Sequence, residues 1–186
     1  MLDVLDLPVA VSDLTFDKQP VYPSIMDKLP VDSDTSKRLM LGTDELTVLA
    51  TSGETGGALF AVEIRMPPGG GPPVMHRHEP GEVYYVIEGE FIFYTGGFGT
   101  PAERMAVGVG QTVALAGGTP HTIRNESDAD AVAFVVHAPG APMESFSRDA
   151  AAQAADGNPG MDAVLAIAQR HGIELLGEIP AVNQNQ

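Results

Sequence analysis

The chain contains no cysteine. This absence excludes disulfide bonds, thiolate nucleophiles, thiolate metal sites and iron–sulfur clusters, and it is typical of proteins in a reducing cytoplasm. The first residues, MLDVLDLPVAVSDL, carry Asp where a secretory signal peptide would carry Lys or Arg. We therefore expect a cytoplasmic protein, and the sequence leaves open whether translation starts at Met1 or at Met26.

Positive charge and long apolar runs are scarce as well. Lys and Arg number 10 against 25 Asp and Glu, which gives a formal net charge of −15. A surface of that charge repels phosphate backbones and anionic lipids, so nucleic-acid and membrane-surface partners are disfavoured. No apolar segment approaches the roughly 18 residues that are needed to cross a bilayer. These features favour a soluble protein that binds neither nucleic acid nor membrane.

The central part of the chain has the pattern of a β-protein. Short segments rich in β-branched and aromatic residues alternate there with Gly and Pro, which indicates strands separated by turns. In one segment Phe60, Val62, Ile64 and Met66 alternate with polar residues, as in a half-buried strand. The eight predicted strands are LTVLAT, LFAVEIRM, VYYVIEG, EFIFYT, MAVGV, TVALA, HTIRN and AVAFVVH. So many short strands at close spacing predict a small antiparallel β-barrel or jelly roll.

The two flanks differ from this centre. With 44% apolar residues in 186, the chain is large enough for one well-formed core. We predict an extended N-terminal arm over residues 1–40, a β-barrel over 41–140 and a helical C-terminal extension over 141–186. The class is therefore all-β with added helices. An arm that adds to the sheet edge of a second copy would make the protein a homodimer.

Histidines are few, yet two of them lie one residue apart in GGGPPVMHRHEPGEVYYVIEG. The side chains of His76 and His78 project to the same face of an extended strand, and Glu82 follows a Pro-Gly break. His121 is placed to join them from a neighbouring strand. Three imidazoles and one carboxylate suit a single divalent ion of the first transition row (Fe, Mn, Co, Ni, Cu or Zn) better than Mg or Ca. The alternative is a cluster of structural histidines.

The remaining two histidines are interpreted as structural. His137 ends the apolar segment AVAFVVH, and His171 falls in the last turn of a predicted helix, where a cation suits the helix dipole.

The spacing around the first histidine pair follows a known pattern. Gly70, His76, His78, Glu82 and Gly89 are spaced as G-x5-H-x-H-x3-E-x6-G, with every fixed position matched.

A second pattern follows about twenty residues later. Gly110, Gly118, His121 and Asn125 are spaced as G-x5-P-x-G-x2-H-x3-N, with Ala116 in place of the proline. Together the two patterns resemble the paired motifs of the cupin superfamily, over about residues 58–137. This resemblance implies a single cupin barrel that holds one metal ion with His76, His78, Glu82 and His121.

The arrangement of arm, barrel and tail looks like bacterial monocupin dioxygenases of the quercetinase type. On that resemblance the substrates are O2 and an enolic or phenolic small molecule such as a flavonol, and Glu82 is both a metal ligand and the general base. An apolar pocket is then required. Its candidate residues are Phe60, Met66, Tyr84, Val86, Phe93 and Phe134, each of which has a role in the core as its alternative.

Two other functions remain open. One is a non-catalytic cupin that binds a metal or small ligand as a sensor or carrier, and the other is an oxygen-independent metal-dependent isomerase or lyase. Oxygen consumption distinguishes the dioxygenase from both.

Overall fold

The computed structural model describes residues 36–96, 102–155 and 161–179. The described part contains eleven strands and two helices. They are β1 (Arg38–Leu41), β2 (Asp44–Ala50), β3 (Phe60–Met66), β4 (Val74–Arg77), β5 (Gly81–Glu88), β6 (Glu90–Gly96), β7 (Ala102–Gly108), β8 (Thr112–Leu115), β9 (His121–Arg124), β10 (Ala131–Ala138), α1 (Gly140–Ala155), α2 (Met161–Arg170) and β11 (Glu174–Glu178). All eight predicted strands are confirmed, and β1, β4 and β11 are additional.

The strands form two sheets. One sheet has the order β1-β2-β3-β10-β5-β8 and the other has the order β11-β4-β9-β6-β7. Every described strand pair is antiparallel. The main apolar cluster draws on both sheets, with Phe60 and Val86 from the first and Phe91 and Phe93 from the second. This is the expected jelly-roll architecture, in which the inward faces of two antiparallel sheets make the core.

Alternation along the strands explains which side chains reach that core. In β5, Glu82, Tyr84 and Val86 are buried, whereas the side chains between them are exposed. The period of two along a strand puts the first set on the inner face and the second set toward solvent. A polar residue on the inner face, such as Glu82, is therefore forced into the interior by register.

The register also defines two ends of the molecule. At one end the first residue of β3, Phe60, pairs with His137, which pairs in turn with Glu82. At the other end the last residue of β3, Met66, pairs with Ala131. We call these the Phe60 end and the Met66 end; six residues of extended strand separate them, or about 20 Å.

The flanks of the barrel differ partly from the sequence prediction. Residues 1–35 lie outside the described residues. Strand β1 begins at Arg38, inside the predicted arm of residues 1–40, and pairs with β2. The tail contains the predicted helices α1 and α2, and it then returns as strand β11 beside β4, with Leu175 opposite His76. The predicted helical extension therefore also contains a strand. Leu175 packs on the core, so burial favours the strand. Within the described ranges, neither helix is long and apolar enough to cross a bilayer.

Candidate metal centre

The histidine cluster lies where strands of both sheets meet at the Phe60 end. His76 is on β4 and pairs directly with His121, the first residue of β9, in the five-stranded sheet. His78 follows one residue after β4 ends. Glu82 reaches the same place from β5, in the six-stranded sheet. The structure thus brings together all four residues that the sequence predicted as ligands.

Their geometry is that of a compact donor set. Ligand atoms of His76, His78 and His121 all lie within 4.8 Å of one another. Glu82 Oε1 lies 2.6 Å from Nε2 of His121 and 3.6 Å from Nε2 of His78. Glu82 is only 4% exposed, so the carboxylate faces the imidazoles rather than water.

Each of the three histidines has its Nδ1 next to a backbone carbonyl oxygen two residues away in the chain. The distances are 3.4 Å for His76, 2.9 Å for His78 and 2.8 Å for His121. An Nδ1–H that donates to such a carbonyl fixes the tautomer and leaves Nε2 as the lone-pair nitrogen. This is the arrangement that metal-ligating histidines commonly adopt.

A tight turn sets the position of His121. The Thr119 N–H donates to the Ala116 carbonyl at 3.1 Å, and the Gly118 N–H donates to the His78 carbonyl at 2.7 Å. Gly118 has φ +80°, a conformation that glycine adopts without strain. The turn therefore closes with Ala116 where the family pattern has proline, and it joins the two histidine segments.

Burial and neighbouring charges perturb the acid–base properties of the cluster. Burial, followed by the charges of His121 and His78, lowers the pKa of His76 to about 4. Burial also lowers the pKa of His78. Imidazoles with low pKa values are neutral near pH 7, which is the form that binds a metal. These two residues therefore need not lose a proton before they bind an ion.

Glu82 and His121 are shifted in opposite directions. Burial alone would raise the pKa of Glu82, but the neighbouring rings of His121 and His137 outweigh it and hold that pKa well below its usual range. Burial alone would lower the pKa of His121, but Glu82 outweighs it and raises that pKa. Glu82 is accordingly a carboxylate at neutral pH.

Buried polar atoms that lack a hydrogen bond indicate whether this group of residues fits a cation. Within the described part of the chain, three buried side-chain atoms have no hydrogen-bond partner: His78 Nε2, Glu82 Oε1 and His137 Nδ1. An unpaired buried polar group costs about 1–3 kcal/mol, so such atoms are rarely left without a partner. Here His78 Nε2 and Glu82 Oε1 converge with His121, and all are donors suited to a divalent transition metal. The residues fit such an ion, while its binding by these four side chains stays a prediction.

His137 was predicted to be structural, but the structure places it at the site. Its Nδ1 lies 3.3 Å from Glu82 Oε2, and its ring lies 6.4 Å from that of His78, centroid to centroid. The cause is the register of β10 on β5, which puts His137 directly opposite Glu82. Parity within AVAFVVH already places His137 on the same face as Val135, which is buried. This parity can be derived from the sequence, and it indicates that His137 and Val135 share one face of the strand.

Tyr84 was predicted to line a pocket, and the structure gives it a more specific contact. Its hydroxyl donates to Glu82 Oε2 at 2.9 Å. Burial, followed by the charge of Glu82, raises the pKa of Tyr84 well above its ordinary value. Tyr84 therefore remains a neutral hydrogen-bond donor.

The other pocket candidates divide into three groups. Phe60 stacks on His137 with ring centroids 6.0 Å apart, and Phe93 packs edge-on against Tyr84 at 5.1 Å. Val86 is buried two residues beyond Tyr84 on the same strand face. Two candidates need correction. Met66 is a core residue at the opposite end, and Phe134 is 37% exposed on the outer face because its parity is opposite to that of Val135 and His137.

The last histidine and the last motif residue lie away from the cluster. His171 contacts Asp149 of α1 at 2.9 Å, which is consistent with the predicted structural role. Asn125 is fully buried at the Met66 end, where its Nδ2 donates to the carbonyls of Met66 at 2.8 Å and Ala129 at 2.7 Å. Asn125 therefore connects loops rather than joining the metal centre.

Comparison with known proteins agrees with this fold. The Cupin_2 family, described as a cupin domain, matches residues 62–137. A search of curated proteins gives no significant match.

Three solved structures illustrate the likeness. A predicted oxalate decarboxylase from Thermotoga maritima is 21% identical with a TM-score of 0.52, over 59% of this chain and 98% of that one. The polyketide cyclase RemF from Streptomyces resistomycificus is 19% identical with a TM-score of 0.52, over 60% of this chain and 80% of that one. Oxalate decarboxylase from Bacillus subtilis is 20% identical with a TM-score of 0.51, over 60% of this chain.

The match covers only 29% of the Bacillus subtilis chain. At such identities the likeness establishes the fold and not the reaction. Residues 62–137 thus match the cupin domain family, and the described chain has the fold of the similar structures.

Proposed function

We propose that the protein is a metal-dependent dioxygenase that cleaves an enolic or phenolic small molecule, of the flavonol type, with O2. The single observation that carries this proposal is the state of Glu82. It is a buried carboxylate that is charged at neutral pH, and its Oε1 lies beside the three imidazoles, 2.6 Å from His121 Nε2. A charged carboxylate in a dry site beside the candidate metal ligands is placed to accept a proton from a substrate hydroxyl.

The residues have distinct tasks in this proposal. His76, His78 and His121 would hold the ion together with Glu82, and the Glu82 carboxylate would also accept the substrate proton. When bound, the metal supplies Lewis acidity that stabilises the enolate charge and orients the two reactants.

The surrounding aromatic side chains keep the site dry. Phe60 stacks beside His137, and Phe93 packs against Tyr84, so apolar rings lie behind the carboxylate. Excluding water strengthens the electrostatic interactions of Glu82 and protects a reactive enolate from protonation by solvent. Both atoms of O2 enter the product, and the substrate itself supplies the electrons.

The similar structures support the proposal that the protein is an enzyme, but they do not indicate which reaction it catalyses. Their names include a decarboxylase and a polyketide cyclase, so the fold supports several reactions of small oxygenated molecules. Bacillus subtilis oxalate decarboxylase has Mn(II) centres, which makes Mn one of the first ions to test. An enzymatic role is therefore better supported than a dioxygenase reaction in particular.

The test is oxygen uptake by protein loaded in turn with Fe, Mn, Co or Ni, with quercetin and other enols as substrates. We expect uptake coupled to loss of the flavonol absorbance, and a loss of at least about 100-fold in Glu82→Gln, typical of a missing general base. The matched control is Glu88→Gln on the same strand, because Glu88 is exposed at the Met66 end.

Other outcomes would replace the proposal. Turnover under argon would identify an isomerase or lyase, and saturable ligand binding without turnover would identify a sensor or carrier. Full activity in Glu82→Gln would exclude the general-base role.

The homodimer stays a prediction, and we propose a surface for it. Val83, Tyr85 and Ile87 on β5 and Phe134 on β10 form an exposed apolar row on the outer face of the six-stranded sheet. Contiguous apolar surface of this kind is typical of protein interfaces. A monomeric mass by light scattering would contradict it.

A further inference from the structure

The two oxygens of the Glu82 carboxylate have different surroundings. Oε2 accepts a hydrogen bond from the Tyr84 hydroxyl at 2.9 Å and lies 3.3 Å from His137 Nδ1. Oε1 points to the imidazoles instead, with His121 Nε2 at 2.6 Å and His78 Nε2 at 3.6 Å. One oxygen is therefore held by the protein, and the other is directed at the histidine cluster.

Strand geometry fixes this division. Tyr84 lies two residues from Glu82 on the same face of β5, and His137 is the direct cross-strand partner of Glu82 on β10. All three side chains are buried, so water does not compete for Oε2. The terminal torsion of a glutamate is broad and nearly two-fold, so without these contacts the carboxylate would rotate.

We infer that Tyr84, through its hydrogen bond, and His137, through its ring beside the carboxylate, are positioning residues that fix Glu82 Oε2 and so present Oε1 to the metal and to the substrate proton. This inference rests on the proposed metal-dependent function but goes beyond it, since it assigns roles to two residues outside the four ligands. Hydrogen-bond partners of metal ligands commonly orient the ligand and raise metal affinity, and their loss typically costs 10–100-fold.

The structure offers matched pairs of variants for a test. Tyr84→Phe removes the hydroxyl that contacts Glu82 and keeps the ring that packs on Phe93. Tyr94→Phe is its control, because it likewise removes a hydroxyl that donates to a carboxylate, Glu126, outside the histidine cluster. His137→Asn has His171→Asn as its control, since His171 contacts Asp149 away from the site.

The experiment titrates each full-length variant with Co(II) alone, without substrate, and records the dissociation constant and the visible absorption spectrum. We expect Tyr84→Phe and His137→Asn to bind Co(II) about 10-fold more weakly, with an altered spectrum, while both controls match the wild type. In a Glu82→Gln background, Tyr84→Phe should add no further loss, because its effect passes through Glu82.

Three results would overturn the inference. Wild-type affinity and spectrum in Tyr84→Phe and His137→Asn would reduce both residues to core packing, even if the melting temperature fell. An undiminished effect of Tyr84→Phe in the Glu82→Gln background would mean that Tyr84 acts elsewhere. A wild-type protein that binds no Co(II) would overturn both the inference and the proposed function, whereas failure of oxygen uptake alone would overturn only the latter.

Discussion

The two ends of the β-sandwich use buried polar residues in opposite ways. At the Met66 end, Asn125 donates to two backbone carbonyls through Nδ2 and accepts from Ser127 through Oδ1. At the Phe60 end, His78, Glu82 and His137 each have a buried atom without a partner in the described structure. Asn125, His78 and Glu82 all belong to the two sequence motifs. Spacing alone does not distinguish these three residues, whereas their hydrogen bonds do.

A buried carboxylate at each end makes the same contrast. Asp44, near Met66, accepts from the Gly71 N–H with both oxygens, at 3.2 and 3.0 Å. Burial raises the pKa of Asp44, and the Gly71 contact offsets this only in part. At Glu82 the neighbouring imidazoles outweigh burial and lower the pKa. Imidazoles therefore lower the pKa of the buried carboxylate at one end, whereas the Gly71 N–H does not offset burial at the other.

The largest effect should come from removing an imidazole at the Phe60 end. His121→Ala deletes one of three converging nitrogens, so we expect metal affinity to fall by more than about 100-fold, beyond the range for losing a ligand's hydrogen-bond partner. The apoprotein should remain folded, because the cluster contributes few of the core's apolar contacts. Elemental analysis of purified protein together with circular dichroism measures both quantities.

The control for that variant is His171→Ala, whose imidazole contacts Asp149 near the helices. It should keep one metal per chain. Unchanged metal content in His121→Ala would contradict the assignment of the metal centre and remove the contrast between the two ends.

The second largest effect is expected from a substitution at the Met66 end, which should lower stability without weakening metal binding. Asn125→Ala leaves the buried carbonyls of Met66 and Ala129 without a donor, so we expect a loss of about 3 kcal/mol in the free energy of unfolding. Metal affinity should be unchanged, because the centre lies at the opposite end. Urea denaturation of the apoprotein and a Co(II) titration test the two halves of this prediction. Weakened Co(II) binding with normal stability would contradict it.

Features that depend on local pattern could be predicted from the sequence. Alternation in β3 identifies its inner face, and the H-x-H-x3-E spacing identifies His76, His78 and Glu82 as a group. Both signals are local, because a strand has a period of two and a motif is contiguous.

Features that depend on pairing between distant segments could not be predicted in this way. His137 reaches Glu82 because β10 pairs with β5, across about fifty residues of chain, and no local pattern encodes that register. The return of the tail beside β4 is a similar case, since Leu175 finds its place by burial against the core. Phe134 is a different case, because parity within AVAFVVH is local and places its side chain on the face opposite to His137.

A third carboxylate, Glu144, tests whether the role of an acid depends on its hydrogen bonds or on its location in the fold. Glu144 on α1 belongs to the Phe60 end, because it accepts from Ser52 in the β2–β3 loop through the backbone N–H at 2.6 Å and the hydroxyl at 2.7 Å. Its other oxygen accepts from Arg148 at 2.6 Å. With both oxygens satisfied, Glu144 should be structural despite its location, so Glu144→Gln should leave Co(II) binding unchanged and cost about 1 kcal/mol of stability.

The sign of its pH dependence follows from the pKa of Glu144. Burial alone would raise that pKa, but hydrogen bonds from Ser52 and then Arg148 outweigh burial and lower it. The ionised form therefore stabilises the fold fully above the unfolded pKa of about 4.3, and this contribution disappears as pH falls through the lower native value. The stability difference between wild type and Glu144→Gln should be constant from neutral pH to about pH 6 and shrink below about pH 4. Urea denaturation at several pH values measures it, with Glu103→Gln on exposed β7 as the control; a difference that grows on acidification would contradict the assignment.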